Sequence, residues 1–245
     1  MPEYRFARNP GGGVVSSADR VAWLRARLWG VTATDARRLV TSRGRVSKQR
    51  ARLLAEKLSG RTTPRLPQFA HGIEREPVIA AWVHQRFGIA PSGALCHGVN
   101  HRHLATPDGI GEHSIAEIKT SVEDLDRAAR IYTDQLQWQL HVTGCEQVLF
   151  VVEHRHTMRR DFRWVGRDEA RIAVLAEHAD TFLAELDAAR AAWVARAEQE
   201  EQVAHWWDDR APETVAAPAD WPAAGQTAGQ RSGVALSAAQ RRMAT

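Results

Sequence analysis

Val148, Leu149, Phe150, Val151 and Val152 form an unbroken apolar run that limits the fold more than any other stretch of the 245 residues. A half-exposed strand alternates apolar with polar side chains, so a short uninterrupted run predicts a strand covered on both faces. Helices must then lie above and below its sheet. Ser17 as N-cap, Val21, Leu24 and Leu28 at helical spacing, and Gly30 as a stop predict a first helix. Thr34 caps a short second helix ending near Val40, and a third, over about 46–58, carries Lys48, Arg50, Arg52 and Lys57. After a linker over 59–68, Val78, Ile79, Trp82 and Val83 stripe a helix over 74–87 that Gly88 closes. Short segments over 94–100, 103–106 and 114–120 read as strands of a meander. A long helix over 123–143 ends at Gly144, strands over 148–154 and 162–165 follow, and a closing helix runs from 168 to about 203. The expected class is α/β, a mixed central sheet flanked by helices, with a helical basic N-terminal lobe.

The predicted organisation has three parts. Residues 1–16, with Pro10 and three consecutive glycines, read as a flexible arm. Residues 17–205 read as one domain, with the basic lobe over 17–66 and the core and closing helix over 67–205. Residues 206–245, rich in Ala, Gly and Pro, read as a disordered or partner-ordered tail in which Trp206, Trp207 and Trp221 could serve as anchors. No run approaches eighteen apolar residues and the start lacks an apolar core, so neither a membrane span nor a secretory signal is expected, and the default location is the cytoplasm. Two cysteines, Cys96 and Cys145, are too few for a disulfide framework or a four-thiolate metal site and read as small apolar fillers. The formal charge of +4 conceals a polarised chain. Residues 1–66 hold 15 Lys and Arg against 4 Asp and Glu, a net +11, and residues 67–245 hold 18 against 25, a net −7. Such asymmetry fits one surface that grips phosphates and another that gathers carboxylates; a solvated basic face is the plainer alternative.

Chemistry concentrates in TPDGIGEHSIAEIKT, residues 106–120. On a strand over 114–120, Glu117 and Lys119 share one face while Ile118 points into the core. Asp108 lies nine residues before Glu117, in a Pro-Asp-Gly turn from which its carboxylate can return to that face. Two carboxylates and an ammonium then converge. Mg²⁺ prefers carboxylate and water oxygens with few protein ligands, and Asp108 and Glu117 supply that chemistry. A metal held there would polarise a phosphate and generate hydroxide, and Lys119 would orient or deprotonate the attacking water. Upstream, Gly72 and Glu76 open a helix; downstream, Tyr132, Gln135 and Gln139 line one helical face.

Four separated motifs are similar to those of the YqaJ-like viral recombinase family, which includes the phage lambda exonuclease and belongs to the PD-(D/E)XK nuclease superfamily. They are Gly-x-x-x-Glu-Pro at Gly72, Glu76 and Pro77; Pro-Asp-Gly from Pro107; Glu-Ile-Lys from Glu117; and Tyr-x-x-Gln-x-Gln with Val-Thr-Gly at Tyr132, Gln135, Gln137 and Val142 to Gly144. Ala22-Trp23-x-x-x-Arg27 followed by Val31-Thr32-Ala33-Thr34 resembles the family's opening motif, and the likeness covers roughly residues 20–165. It implies a restriction-endonuclease-like core and an exonuclease that needs Mg²⁺, with Mn²⁺ as a substitute. The implied substrate is a double-stranded DNA end, degraded from 5′ to 3′ to expose a 3′ single strand. The implied partners are an annealing protein or recombinase, and further copies of the chain in a ring. Residue by residue, it makes Asp108 and Glu117 metal ligands, with the Ile118 carbonyl a further oxygen. Glu76 completes or supports the site in preference to Glu74, Lys119 assists the water, and Gln135 holds the metal's water or the scissile phosphate. Arg27, Thr32, Thr34 and Tyr132 fall to the DNA and its 5′ phosphate.

Plainer readings stand beside these. Glu76 could be a first-turn acid favoured by the helix dipole, Arg27 a solvated arginine, the threonines caps, and Gln135 and Tyr132 a polar helix face. His97, His101 and His103, with His154 and His156, invite a zinc reading, yet no cysteine or carboxylate completes a spacing typical of zinc. The alternatives in function are another PD-(D/E)XK nuclease, cutting internally or with the opposite polarity, and a non-catalytic DNA-binding protein.

Overall fold

The computed structural model describes residues 3–60 and 68–199. Its larger sheet has the order β2 (Ala90–Pro91), β5 (Gly109–Ile110), β6 (Ser114–Ser121), β7 (Gln147–His154), β8 (Arg160–Gly166). β6 and β7 run parallel and every other pair is antiparallel, so the sheet is mixed. A parallel pair needs a crossover, and α5 (Leu125–Thr143) provides it. Asp124 caps its start through the Arg127 N–H, and Gly144 ends it in the left-handed conformation that only glycine adopts without strain.

The apolar run is buried on both faces, as its composition demands. Val148, Phe150 and Val152 pack with Leu136 and Leu140 of α5. Leu149 and Val151 face the other way, joining Ala116 and Ile118 of β6 beneath Ile79, Ala80 and Val83 of α4 (Gln68–Phe87). Helix α4 begins earlier than the expected 74, so Glu76 lies well inside it. Pro77 is interior too, and its missing N–H leaves one carbonyl of the preceding turn without its usual donor.

A second sheet of three strands gathers β1 (Val31–Thr32), β4 (His103–Ala105) and β3 (Cys96–His97), with β4 central. The expected meander is thus divided between two sheets. Gly30 serves this sheet: a Cβ there would lie 2.4 Å from the Arg102 carbonyl, so glycine permits the chain entering β1 to approach β4. Around it pack α1 (Arg20–Leu28), α2 (Ala33–Leu39), α3 (Arg50–Ser59) and α6 (Glu169–Gln199). Leu39 and Leu53 share one core with Trp138 of α5 and Phe182 and Leu186 of α6, so the N-terminal helices are built into the main core and do not form a separate body.

Further expectations change. A flexible arm is expected over residues 1–16, yet residues 5–16 and Ser17 are hydrogen-bonded along 93–97: Ala7 and Val15 both pair with Leu95, His97 N–H donates to Arg5 O, and Val15 is buried. Tyr4 anchors this segment by donating to Gly111 O at 2.7 Å. Thr32, not Thr34, caps α2, in a reciprocal capping box with Asp35. Most of the expected linker, the end of the closing helix, and the tail with Trp206, Trp207 and Trp221 lie outside the described residues.

Candidate active site

A hairpin delivers Asp108. β5 and β6 pair antiparallel with Gly109 opposite Ala116, and Asp108, one residue before β5, donates its N–H to Ala116 O at 3.0 Å. Its Oδ2 accepts the Ile118 N–H at 2.7 Å. Alternation along β6 sends Ala116 and Ile118 beneath α4 and turns Glu117 and Lys119 toward α5. Glu117, only 2% exposed, accepts from Lys119 Nζ and Gln135 Nε2 at Oε1, and from Gln139 Nε2 at Oε2, 2.5 Å away.

One cleft of about 280 Å³ brings together Glu76, Asp108, Glu117, Lys119 and Gln135, and the same cleft takes in Arg27 and Thr34. Glu76 enters from the middle of α4, which removes the first-turn explanation for it. Burial and the neighbouring Glu117 carboxylate raise Asp108 well above the ordinary carboxylate range, with Glu76 adding to the effect and Lys119 opposing it. Burial, with Glu117, also raises Glu76. Burial alone would lower Lys119, but Glu117 and Asp108 outweigh it and hold the ammonium above its usual value. The cleft is therefore a place where carboxylates crowd and a cation is stabilised.

Other expected residues are placed differently. Thr32 is 1% exposed, and its hydroxyl donates to Asp35 Oδ2 at 2.8 Å, so it is not a lining residue. Tyr132 stands beside the cleft, its ring centre 5.1 Å from Lys119 Nζ and 5.2 Å from the Arg37 guanidinium. Ile118 is buried and could contribute only through its backbone. Gln137 faces away: it donates to Gly166 O and accepts the Asp168 N–H, tying α5 to the end of β8. Arg27 stacks 4.0 Å over Trp23, whose indole donates to Thr106 Oγ1; burial lowers the arginine's pKa and Asp35 opposes this. Gln139 lines the cleft and Arg37 lies over Tyr132, although no motif assigned either a role. Gln139 is signalled only by its spacing of four from Gln135, and Arg37 arrives on α2 from a distant part of the chain.

The oxygen-rich donor set of Asp108, Glu117, Glu76 and the Ile118 carbonyl fits a hard divalent cation. Gln139 Oε1, buried without a hydrogen-bond donor, is a further oxygen at the site. Among the described residues no three His, Cys, Asp or Glu side chains form a ready ligand cluster. The zinc reading of the histidines finds no such cluster either. His103 sits in the core instead, 3.0 Å from His141 and against Trp138, and burial with His103 and Arg167 lowers His141 to about 4.

A mixed sheet carrying Pro-Asp on one strand entry and Glu-Ile-Lys on the next strand, flanked by α4 and α5, defines a PD-(D/E)XK nuclease core. The sequence profile of the YqaJ-like viral recombinase domain matches residues 22–146, and the chain belongs to that family. An alkaline exonuclease from Laribacter hongkongensis is similar at 25% identity and a TM-score of 0.61, over 72% of this chain and 97% of that one. Its structure in complex with dAMP gives 26%, 0.59 and the same coverage. A phage-related exonuclease from Haemophilus somnus 129PT shares the fold at 11% identity and a TM-score of 0.56, over 67% of this chain and 96% of that one. No match is found among curated proteins. No helix among the described residues is long and apolar enough to cross a membrane.

Proposed function

We propose that this chain is a Mg²⁺-dependent exonuclease that enters at the end of linear double-stranded DNA and degrades one strand from 5′ to 3′. It leaves a 3′ single strand for an annealing protein or recombinase in phage-type homologous recombination. Mn²⁺ replaces Mg²⁺, the enzyme works in the cytoplasm, and a ring of identical chains around the duplex keeps it on its substrate. One observation carries the reading: Glu76, Asp108, Glu117, Lys119 and Gln135 share a cleft with Arg27 and Thr34, in a chain of this family.

Asp108, Glu117, Glu76 and the Ile118 carbonyl hold the cation. When bound, it supplies Lewis-acid polarisation of the scissile phosphate and acidifies water. Lys119 orients the attacking water and adds positive charge where the phosphate gathers negative charge. Gln135 holds Glu117 in place and presents its amide to the water or phosphate. Arg27 and the Thr34 hydroxyl take the terminal 5′ phosphate, a guanidinium and a hydroxyl being natural phosphate donors.

The test is a linear duplex labelled separately at its 5′ and 3′ ends, with and without a 5′ phosphate, incubated with Mg²⁺, Mn²⁺ or EDTA. The 5′ label is released first as mononucleotide, faster with the phosphate present, and EDTA stops the reaction. Asp108→Asn and Lys119→Ala each lower the rate by about 100-fold or more. Earlier release of the 3′ label, or cutting of a closed circular duplex, overturns the polarity or the exonuclease reading.

A further inference from the structure

Gln139 has an environment that a merely structural glutamine lacks. It is 1% exposed and lies on the cleft, one helical turn beyond Gln135 on α5. Its Nε2 donates to Glu117 Oε2 at 2.5 Å. An ionised carboxylate only accepts hydrogen bonds, so this contact fixes which way the amide is turned: the NH₂ must face Glu117 and the carbonyl must face elsewhere. That carbonyl, Oε1, is buried and has no donor among the described residues. Turning the amide over would set two oxygens against each other, so rotation does not supply Oε1 with a donor.

A buried side-chain oxygen without a donor is uncommon and calls for a water or an ion. The cleft provides the reason for one. Glu76, Asp108 and Glu117 are three carboxylates against two cations, Lys119 and Arg27. A hard cation bound there keeps several waters whose protons need acceptors.

We propose that Gln139 is a positioning residue of the metal centre: its Nε2 fixes the Glu117 carboxylate and its Oε1 accepts a hydrogen bond from a water in the cation's shell. The proposal rests on the metal-dependent reading above. Gln139 thereby sets how tightly the ion is held. Outer-shell partners of this kind change metal affinity by about 10–100-fold when removed. Gln137, two residues away but turned to Gly166 and Asp168, has no part in this.

The measurement is calorimetric titration of Mg²⁺ into the full-length protein without DNA, repeated with Mn²⁺ followed by electron paramagnetic resonance. Gln139→Met keeps the volume and removes both polar atoms; Gln139→Asn keeps the amide but shortens it; Gln137→Met is the control. Thermal unfolding in EDTA reports the fold of each. Gln139→Met is expected to weaken Mg²⁺ binding by about 10–100-fold and to change the Mn²⁺ spectrum, with Gln139→Asn between it and the parent and Gln137→Met like the parent in affinity. Parental Mg²⁺ affinity in folded Gln139→Met overturns the proposal and leaves the metal-dependent reading standing. If Gln139→Met does not fold, parental affinity and an unchanged Mn²⁺ spectrum in Gln139→Asn overturn it equally. A parent chain that binds neither ion overturns the metal-dependent reading and this proposal together.

Discussion

Thr32 and Thr34 are two residues apart and chemically identical, yet the backbone gives them different work. Thr32 precedes α2 with extended dihedral angles, so its hydroxyl reaches back to the Asp35 N–H while Asp35 accepts the Thr32 N–H and hydroxyl. Asp35 is itself held by Lys57 at 2.7 Å, and Lys57 Nζ also donates to the carbonyls of Arg27 and Gly30. Burial alone would raise Asp35, but Lys57 outweighs it and keeps the carboxyl below its usual range. The capping box therefore places the end of α1, and with it Arg27, through two threonine-linked partners. Thr34 is exposed in the first turn of α2 and lines the cleft. Thr32→Ala should lower stability by about 1 kcal/mol, measured by urea unfolding. Thr34→Ala should leave stability unchanged and reduce the preference for a 5′-phosphorylated end. Equal effects of the two on end preference would remove the distinction. Sequence pattern alone could not separate them, because the phase of α2 depends on Asp35 being buried and paired with Lys57.

At the scale of elements, the strongly patterned segments were legible. The apolar run of β7, the long α5 with its terminal Gly144, and the alternation that puts Glu117 and Lys119 on one face all follow from local rules and appear as expected. What local rules could not give was partnership between distant segments. β1 and β4 form a short parallel pair from residues about seventy apart, and residues 5–17 find their hydrogen bonds only on 93–97. The start of α4 was missed because residues 68–73 carry His71, Gly72 and Ile73 in place of a clear apolar stripe. Glu153 shows how α4 is then fixed to the sheet. It is fully buried in β7, accepts both Arg75 Nε and Nη2 from α4 at 2.7 and 2.9 Å, and accepts Arg160 Nε from β8 at 2.8 Å. Burial would raise its pKa, but the two guanidinium groups outweigh burial and lower it below its ordinary 4.5. Its stabilisation is therefore complete above about pH 4.5 and is lost as the pH falls through the depressed folded value. Glu153→Gln should cost about 2 kcal/mol near neutral pH, and the gap from the parent should narrow on acidification. A gap independent of pH between 3 and 6 would show that the charge is not what holds α4.

For the whole molecule, the uneven charge in the sequence has two destinations, and only one is DNA. Part of the basic surplus is consumed inside the fold. Arg50 is buried against Glu185 of α6, Lys57 is buried against Asp35, and Arg38 and Arg52 both bridge Glu56. Arg102, near β4, takes Asp187 of α6. Most of these pairs lie within the N-terminal lobe and Arg50–Glu185 ties it to the closing helix, a use of charge that composition cannot distinguish from phosphate binding. Arg37 differs: it forms no ion pair among the described residues, and its guanidinium lies over Tyr132, the ring that Lys119 approaches. A cation so placed, on the ring that Lys119 also approaches, is expected to meet a phosphate of the entering strand. Each phosphate neutralised on duplex DNA contributes about 0.9 to the slope of log affinity against log salt. Arg37→Ala should therefore weaken binding of a linear duplex and flatten that slope by about 0.9, with the thermal midpoint unchanged. Arg50→Ala should do the reverse, lowering the midpoint because the buried arginine's contacts with Glu185, the His178 carbonyl and Phe182 are lost, and leaving the slope as in the parent. Fluorescence anisotropy of a labelled duplex across a salt series, in EDTA to prevent cleavage, measures both. If the slope instead changes with Arg50 and not with Arg37, the internal ion pairs of the closing helix have been misassigned and the DNA path runs along α3.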